Sequence, residues 1–398
     1  MLKTFGAFVA TAILALGLAG CGVKLVPIEE DSAARPATSR AGAAARPLTG
    51  VPAPWTALAG RLVAKGFPED RARKFFASPA LVFTQKPMET KLRELFGIFY
   101  RSDLTKEAQE SLYQLGYEIL IDGRNGPGTK KAIMAFQKDH NLTQNGRLDL
   151  VLVKVLSHLV KKKRVRTLAD YKPPAVTPPS RSATYPQFTK PSALAQIRNH
   201  YAQDQAIFDQ MARLYGVPGA LVASIMWIET GYGSFFGSNK AAASLASMAA
   251  AEDYSLVAPY VADLEVDPDA KAFLVENAKQ RGEWALNELE NLLVYAWVNN
   301  LDPLTFSGSI YGAIGYGQFM PSNVAKYSVD GDGDAKIDLF NKPDAIFSIG
   351  KFLRDHGWLT AKNEESRRQV IMRYNKSGTY VNTVLYVARF LDPNFAKD

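Results

Sequence analysis

Hydrophobic positions recur at helical spacing along most of this chain. Trp55, Leu58, Leu62 and Val63 fall on one helical face, and Met88, Leu92, Leu95 and Phe96 repeat the pattern. Residues 55–102 therefore read as a helical packing segment without chemistry of its own. Residues 103–160 read as helix–loop–helix–loop–helix, and residues 191–398 as a larger, mainly helical domain with one Asp/Gly-rich loop. The predicted fold class is mainly α. Two stretches lack periodicity. Residues 21–54 read as a disordered tether, with 30–54 rich in Ala, Arg, Pro, Ser and Thr. Residues 161–190 begin Lys161-Lys162-Lys163-Arg164, contain Pro173-Pro174 and Pro178-Pro179, and read as a semi-rigid linker.

Composition changes this picture mainly at the N-terminus. Lys3 precedes a short apolar run, Phe5 to Ala19, too short to span a bilayer comfortably, so residues 1–20 read as a signal peptide. Leu18-Ala19-Gly20-Cys21 follows, and Cys21 is the only cysteine in the chain. The tetrapeptide resembles a bacterial lipobox, in which the cysteine is lipidated, and more than one acyl chain gives stable anchoring. Gly22 rather than Asp follows it, which by the same resemblance implies the outer membrane of a Gram-negative cell, facing the periplasm. The net charge of +8 suits an acidic polymer as partner. The basic run at 161–164 reads more readily as a solvated helix end than as a binding patch. It has no aromatic platform beside it, which argues against nucleic acid. The four histidines are too scattered for a metal cluster.

Candidate chemistry lies in three segments. Pro218 to Gly233 reads PGALVASIMWIETGYG. Pro218 suits a first helical turn, and Val222, Ile225, Met226 and Glu229 share one face. Gly231 and Gly233 stop the helix just beyond. Glu229 is the only acidic residue between Gln210 and Ala251, with no Lys or Arg within a turn. Desolvation and the helix C-terminus both raise the pKa of such a carboxyl, as the acid of glycosidic cleavage requires. Alone, the segment reads equally well as a solvent-facing glutamate at a helix end. Ser307 to Ser322 reads SGSIYGAIGYGQFMPS. Gly308, Ser309, Gly312, Gly315 and Gly317 would keep the backbone open to a close-approaching ligand. Tyr311 and Tyr316 offer flat faces for sugar rings, and Gln318 offers both donor and acceptor. Arg373-Tyr374-Asn375-Lys376-Ser377, with Tyr380 following, repeats the pairing of aromatic and amide.

Together these segments closely resemble family 3 lytic transglycosylases of the membrane-bound lytic murein transglycosylase B type. The pieces that carry the resemblance are YGVP at Tyr215–Pro218, IETGYG at Ile228–Gly233, ALNEL at Ala285–Leu289 and GSIYGAIGYGQFMPS at Gly308–Ser322. DAI at Asp344–Ile346, HGW at His356–Trp358 and the Tyr374–Tyr380 segment complete them. The resemblance implies a lysozyme-like catalytic domain over 191–398. It implies Glu229 as acid/base, with Ser309, Gln318, Tyr374 and Asn375, and more weakly Tyr232 and Tyr316, lining the sugar sites. No cofactor is required for such a reaction. The implied product is a 1,6-anhydro-MurNAc end. The same fold and acid would also serve a hydrolytic muramidase, and a chain with a dead site would be a wall-binding lipoprotein. In the small unit, Leu112 to Tyr117, the loop Asp122 to Thr129, and Ala132, Ile133, Phe136 and Gln137 resemble the three-helix peptidoglycan-binding domain. Gly123, Gly126 and Gly128 would permit a tight loop, with Thr129 capping the next helix.

Asp330-Gly331-Asp332-Gly333-Asp334-Ala335-Lys336-Ile337-Asp338 resembles an EF-hand loop. Asp330, Asp332, Asp334, the Lys336 carbonyl and Asp338 fall at ligand positions, for a structural calcium. Ala335 replaces the usual glycine, and Asn341 stands where a bidentate Glu belongs, so affinity should be weak. A turn held by Asx hydrogen bonds accounts for the same residues.

Overall fold

The computed structural model describes residues 48–97, 102–162, 166–173, 183–265 and 268–395. Residues 1–47, on which the expected signal peptide, Cys21 and most of the expected tether fall, lie outside the described residues, as do Lys163, Arg164, Pro174, Pro178 and Pro179. The chain opens with α1 (Thr56–Ala64), α2 (Glu69–Phe76) and α3 (Lys86–Leu95). A small module follows, α4 (Ser102–Gln114), α5 (Pro127–Asp139) and α6 (Leu150–Lys162). The larger region then begins with α7 (Pro186–Thr189), α8 (Pro191–Gln203), α9 (Gln205–Tyr215) and α10 (Gly219–Thr230). It continues through α11 (Ala241–Ala250), α12 (Ala258–Val261), α13 (Pro268–Val298) and α14 (Pro321–Tyr327). It ends in α15 (Lys342–Asp355), α16 (Glu364–Tyr374) and α17 (Gly378–Leu391). Two short strands, β1 (Asn239–Lys240) and β2 (Ser307–Gly308), pair antiparallel with Asn239 opposite Gly308.

The core is organised around α10. Every residue from Gly219 to Trp227 is buried, the mark of a helix that is hydrophobic all round and sits at the centre of a domain. The apolar face expected beneath Glu229 is thus one side of a helix enclosed by α17, α9, α8 and α15. α11 reads AAASLASMAA, and its small side chains let α13 lie closely along it.

The segment before the small module is part of this same body. Trp55, Leu58, Leu62, Phe76, Met88, Leu92 and Phe96 belong to the apolar cluster that holds α10 and α13. Polar ties fix it. The Thr84 N–H donates to Ser247 Oγ at 3.0 Å, Arg61 pairs with Glu252 and Glu283, and Arg93 grips Asp263 with two bonds of 2.9 Å. These partners are 163 to 222 positions apart, so no local pattern could announce them.

The small module has its own core around Leu112, Ile133, Phe136, Val153 and Leu156. Gln109, fully buried, organises the glycine-rich loop. Its carbonyl accepts the Asp122 and Gly123 N–H groups, and its amide donates to Asp122 Oδ1, Arg124 O and Thr129 Oγ1. Thr129 is inside α5 rather than at its cap, and donates to Arg124 O. Gly126 and Gly128 have ordinary φ and open space around them, so of the three loop glycines only Gly123, at φ +71°, needs to be glycine. The linker is also shorter than its composition suggests. Tyr171 packs on Tyr113 and accepts the Ile121 N–H, which ties 166–171 back to the module, while the Tyr185 N–H donates to Thr383 Oγ1 in the larger body.

Candidate active site

Glu229 stands in the last turn of α10. Gly231, in the left-handed conformation at φ +56°, ends the helix, with the Gly231 N–H on Trp227 O and the Tyr232 N–H on Met226 O, a Schellman-type stop. Thr230 fastens this end to the second segment. Its hydroxyl lies 3.2 Å from Tyr316 O and accepts the Gly233 N–H at 3.0 Å.

The Glu229 carboxyl accepts one side-chain bond, from the Tyr380 hydroxyl to Oε1 at 2.7 Å. The residue keeps some exposed surface, yet its carboxyl is enclosed enough that burial pushes its pKa up to about 7, against the lowering effect of the Tyr380 bond. Tyr374 is the second ring at this carboxyl. Both tyrosines are held well above the ordinary phenol range, first by burial and then by the Glu229 charge. Tyr374 donates to Gly317 O at 2.5 Å, which draws the 315–318 turn against α10 and α16. No second carboxylate acts on Glu229 among the described residues. Glu288, a buried acid of α13, accepts the Ser322 N–H at 2.9 Å and serves the start of α14.

The remaining predicted residues divide by what their polar atoms have left to give. Ser309 Oγ accepts the Tyr311 and Ala313 N–H groups, which leaves its proton to donate. Gln318 sits at φ +47°, unusual for a side-chain-bearing residue. Its amide nitrogen reaches Gly315 O and Phe236 O, and its side-chain carbonyl is the half left for a ligand. Asn375 is exposed at the end of α16. Tyr316 is partly exposed and packs edge-on against Phe236 and Tyr232.

Tyr232, which the resemblance places at the sugar sites, has its ring and hydroxyl turned into the protein. It is 4% exposed, and its hydroxyl donates to Asp204, which also takes Lys342 Nζ at 2.8 Å. His200 stacks on its ring at 4.7 Å. These contacts hold Tyr232 at φ +59°. The aromatic that this turn presents to solvent is Phe235, 64% exposed, which the sequence motifs passed over. Nothing local in the sequence pairs Tyr380 with a carboxyl 151 positions earlier. The glycines of the second segment have a different role from the one expected. Gly308, Gly312, Gly315 and Gly317 are buried. A Cβ on them would strike Ala313 O, Leu245, Leu339 O and the Tyr374 hydroxyl, all within 2.6 Å. Protein atoms, not a ligand, make the close approach.

The Asp/Gly loop brings together a different set of carboxylates from the one its spacing suggests. Asp330, Asp332 and Asp344 place oxygens within 4.8 Å of one another. Asp334 and Asp338 instead accept the N–H groups of Lys336 and Phe340. Asp344 enters because it lies in the first turn of α15, which returns to the loop; its oxygens accept the Gly331 and Asp338 N–H groups. Asn341 Oδ1 is buried nearby in the chain without a partner. Asn341 turns its amide nitrogen to Asp332 Oδ2 at 2.8 Å, and the three acidic oxygens fit a hard cation.

The chain belongs to the transglycosylase SLT domain family, whose model matches residues 129–368. Residues 101–156 match the peptidoglycan binding domain family. Among curated proteins the chain is similar to membrane-bound lytic murein transglycosylase B of Escherichia coli (strain K12), with 28% identity over 260 residues, 64% of this chain and 62% of the relative. The chain thus spans less than two thirds of that relative's length. Among solved structures it is similar to soluble lytic transglycosylase SltB1 of Pseudomonas aeruginosa. That likeness has a TM-score of 0.43 and 20% identity, and covers 67% of this chain and 99% of that one. It is also similar to Escherichia coli lytic transglycosylase Slt35 in complex with calcium, with a TM-score of 0.43 and 19% identity over 71% and 97% of the two chains.

Proposed function

We propose that the protein is a lytic transglycosylase that cleaves the MurNAc–GlcNAc bond of peptidoglycan and leaves 1,6-anhydro-MurNAc ends. The observation that carries the reading is Glu229, a carboxyl whose pKa burial raises to about 7, with no second acid acting on it among the described residues. Two-carboxylate glycosidases need a partner at a fixed separation. Here one group must serve twice. Protonated Glu229 gives its proton to the leaving oxygen as the bond to C1 breaks. The substrate's own N-acetyl group steadies the cationic centre. The carboxylate then takes the proton of the C6 hydroxyl as that oxygen bonds to C1, which restores the acid. Tyr380 occupies Oε1 and leaves Oε2 for the transfer. The Ser309 hydroxyl, the Gln318 carbonyl, Asn375 and the Tyr374 ring hold the sugars, with Tyr316 and Phe235 as flanking rings. The small module holds the wall. Purified sacculi digested with the soluble protein test this: release of anhydro-ended muropeptides is expected, and binding without release would reduce the protein to a wall-binding module.

Tyr380 acts as a positioning residue. Its bond favours the ionised form of Glu229, so Tyr380→Phe should move the alkaline limb of the kcat/KM profile to higher pH, with turnover reduced about tenfold. An unmoved limb would mean that the bond does not tune the acid.

Calcium would be held by Asp330, Asp332 and Asp344 and would be structural, tying the start of α15 to the loop. Added calcium should raise the unfolding temperature relative to chelator, by the equivalent of about 2.7 kcal/mol at a hundredfold excess over Kd. Asp332→Asn should abolish that difference, and an equal unfolding temperature with calcium and chelator in the unaltered protein would remove the metal from this account.

The anchor at Cys21 is inferred from the lipobox pattern alone, with the outer membrane and periplasm as destination. Among the described residues no single helix is long and apolar enough to cross a membrane. Fatty-acid labelling that disappears in Cys21→Ser tests the anchor.

A further inference from the structure

The chain leaves α10 through three consecutive residues in the left-handed region, Gly231 at φ +56°, Tyr232 at +59° and Gly233 at +88°. The two glycines take that conformation freely. Tyr232 does not, and a residue with a side chain stays there only where its surroundings hold it. They do so from several elements. The His200 ring of α8 stacks on the Tyr232 ring, and Tyr316 packs edge-on from the second segment. The Tyr232 hydroxyl donates to Asp204 Oδ2 at 2.9 Å, and the same oxygen accepts Lys342 Nζ, from the start of α15, at 2.8 Å. Tyr201 lies close enough to act on Tyr232 electrostatically. Asp204 is itself fixed at the break between α8 and α9, where its carbonyl accepts the Ile207 and Phe208 N–H groups. Its side chain is only 13% exposed, and Lys342 balances its charge. Glu229 stands three residues before Tyr232, so the path of this turn sets where the carboxyl points.

We propose that Asp204 is a positioning residue for Glu229, acting through the Tyr232 hydroxyl with Lys342 as its counter-charge. It rests on the reading of Glu229 as the acid given above. A third glycine would pass through the turn without strain, but it would leave the end of α10 unanchored. The tyrosine accepts the strained backbone and ties the turn to α8, α9 and α15. Tyr232 thereby belongs to the support behind the acid.

Loss of this anchor should let the turn relax and water reach the carboxyl, which solvates the ionised form. The Glu229 pKa should then fall from about 7 toward the ordinary carboxylate range. That direction is opposite to the one expected for Tyr380→Phe. The ionisable groups acting on the Glu229 carboxyl are Tyr380 and Tyr374, and the variants below leave both in place. The test titrates the whole protein labelled with carbon-13 at its glutamate carboxyls, with the Glu229 resonance assigned by its absence in Glu229→Gln. Tyr232→Phe keeps the ring and its stacking and removes only the hydroxyl, whereas Asp204→Ala removes the anchor. Both should lower the pH at which Glu229 titrates. On soluble glycan fragments kcat should fall about tenfold for Tyr232→Phe and about a hundredfold for Asp204→Ala, with KM changed less than about twofold. Tyr232→Phe reports even if Asp204→Ala misfolds. A purely structural contact would lower resistance to denaturant while the folded protein kept its titration and its kcat, and that result would overturn the proposal. So would a Glu229 carboxyl that titrates in the ordinary range in the unaltered protein. The titration needs no turnover, and product ends are scored separately. Release of reducing ends, or of nothing, would therefore contradict the transglycosylase reading and leave the Asp204 result to be judged on the titration.

Discussion

Glu229→Gln will abolish glycan cleavage and at the same time yield a protein more stable than the unaltered one above about pH 7. The loss of turnover should be at least about a thousandfold, because the carboxyl proposed to give and retake the proton is removed. The gain follows from the direction of the pKa shift. Burial lifts the folded-state pKa of Glu229 to about 7, above the ordinary carboxylate range it keeps in the unfolded chain. Between those two values the folded protein holds a proton that the unfolded chain has released, so stability falls as pH rises through this window. Below it the penalty vanishes, and above about 7 it is complete, on the order of 3 kcal/mol. Glutamine keeps the shape and carries no charge. Denaturation of both proteins at about pH 4 and pH 8 checks this: the difference should be small at the lower pH and favour the variant at the higher. A variant less stable at both would mean that Glu229 is a structural carboxylate.

Gly315→Ala should strongly destabilise the protein. Gly315 is at φ +72°, where a side chain is strained, and its Cβ would lie 2.6 Å from Leu339 O. That oxygen accepts the Tyr316 N–H at 3.0 Å, so it cannot swing away without breaking the tie between the segment and the Asp/Gly loop. A loss of about 3 kcal/mol or more is expected from strain and backbone clash combined, with activity falling in parallel as Tyr316 and Gln318 leave their places. Unfolding in denaturant measures it. A loss under about 1 kcal/mol would show that the turn relaxes freely and that the glycine is there for a ligand after all.

Glu229 was legible in the sequence because its oddity is local: one acid in forty-two residues, on an apolar helix closed by glycine. The family resemblance rested on contiguous motifs for the same reason. What the sequence hid was tertiary. That residues 48–96 complete the core of the catalytic body depends on pairs such as Thr84 with Ser247. That Tyr380 touches Glu229 depends on α17 crossing α10. Asp344 joins the acidic loop only because α15 folds back on it. The glycines of the second segment misled in a more instructive way, since a requirement for a bare backbone looks identical whether a sugar or a tyrosine hydroxyl presses on it. Tyr232 misled likewise. An aromatic beside a catalytic acid suggests a sugar platform, but the αL turn carries its ring inward to Asp204 and His200.

The central claim is that Glu229 delivers an internal hydroxyl, not water, to C1. Digestion of sacculi in water enriched in oxygen-18, followed by mass analysis of the released muropeptides, tests it directly. The account predicts 1,6-anhydro ends lighter than reducing ends by one water, free of the heavy isotope and absent with Glu229→Gln. Reducing ends carrying oxygen-18 at C1 as the main product would contradict it.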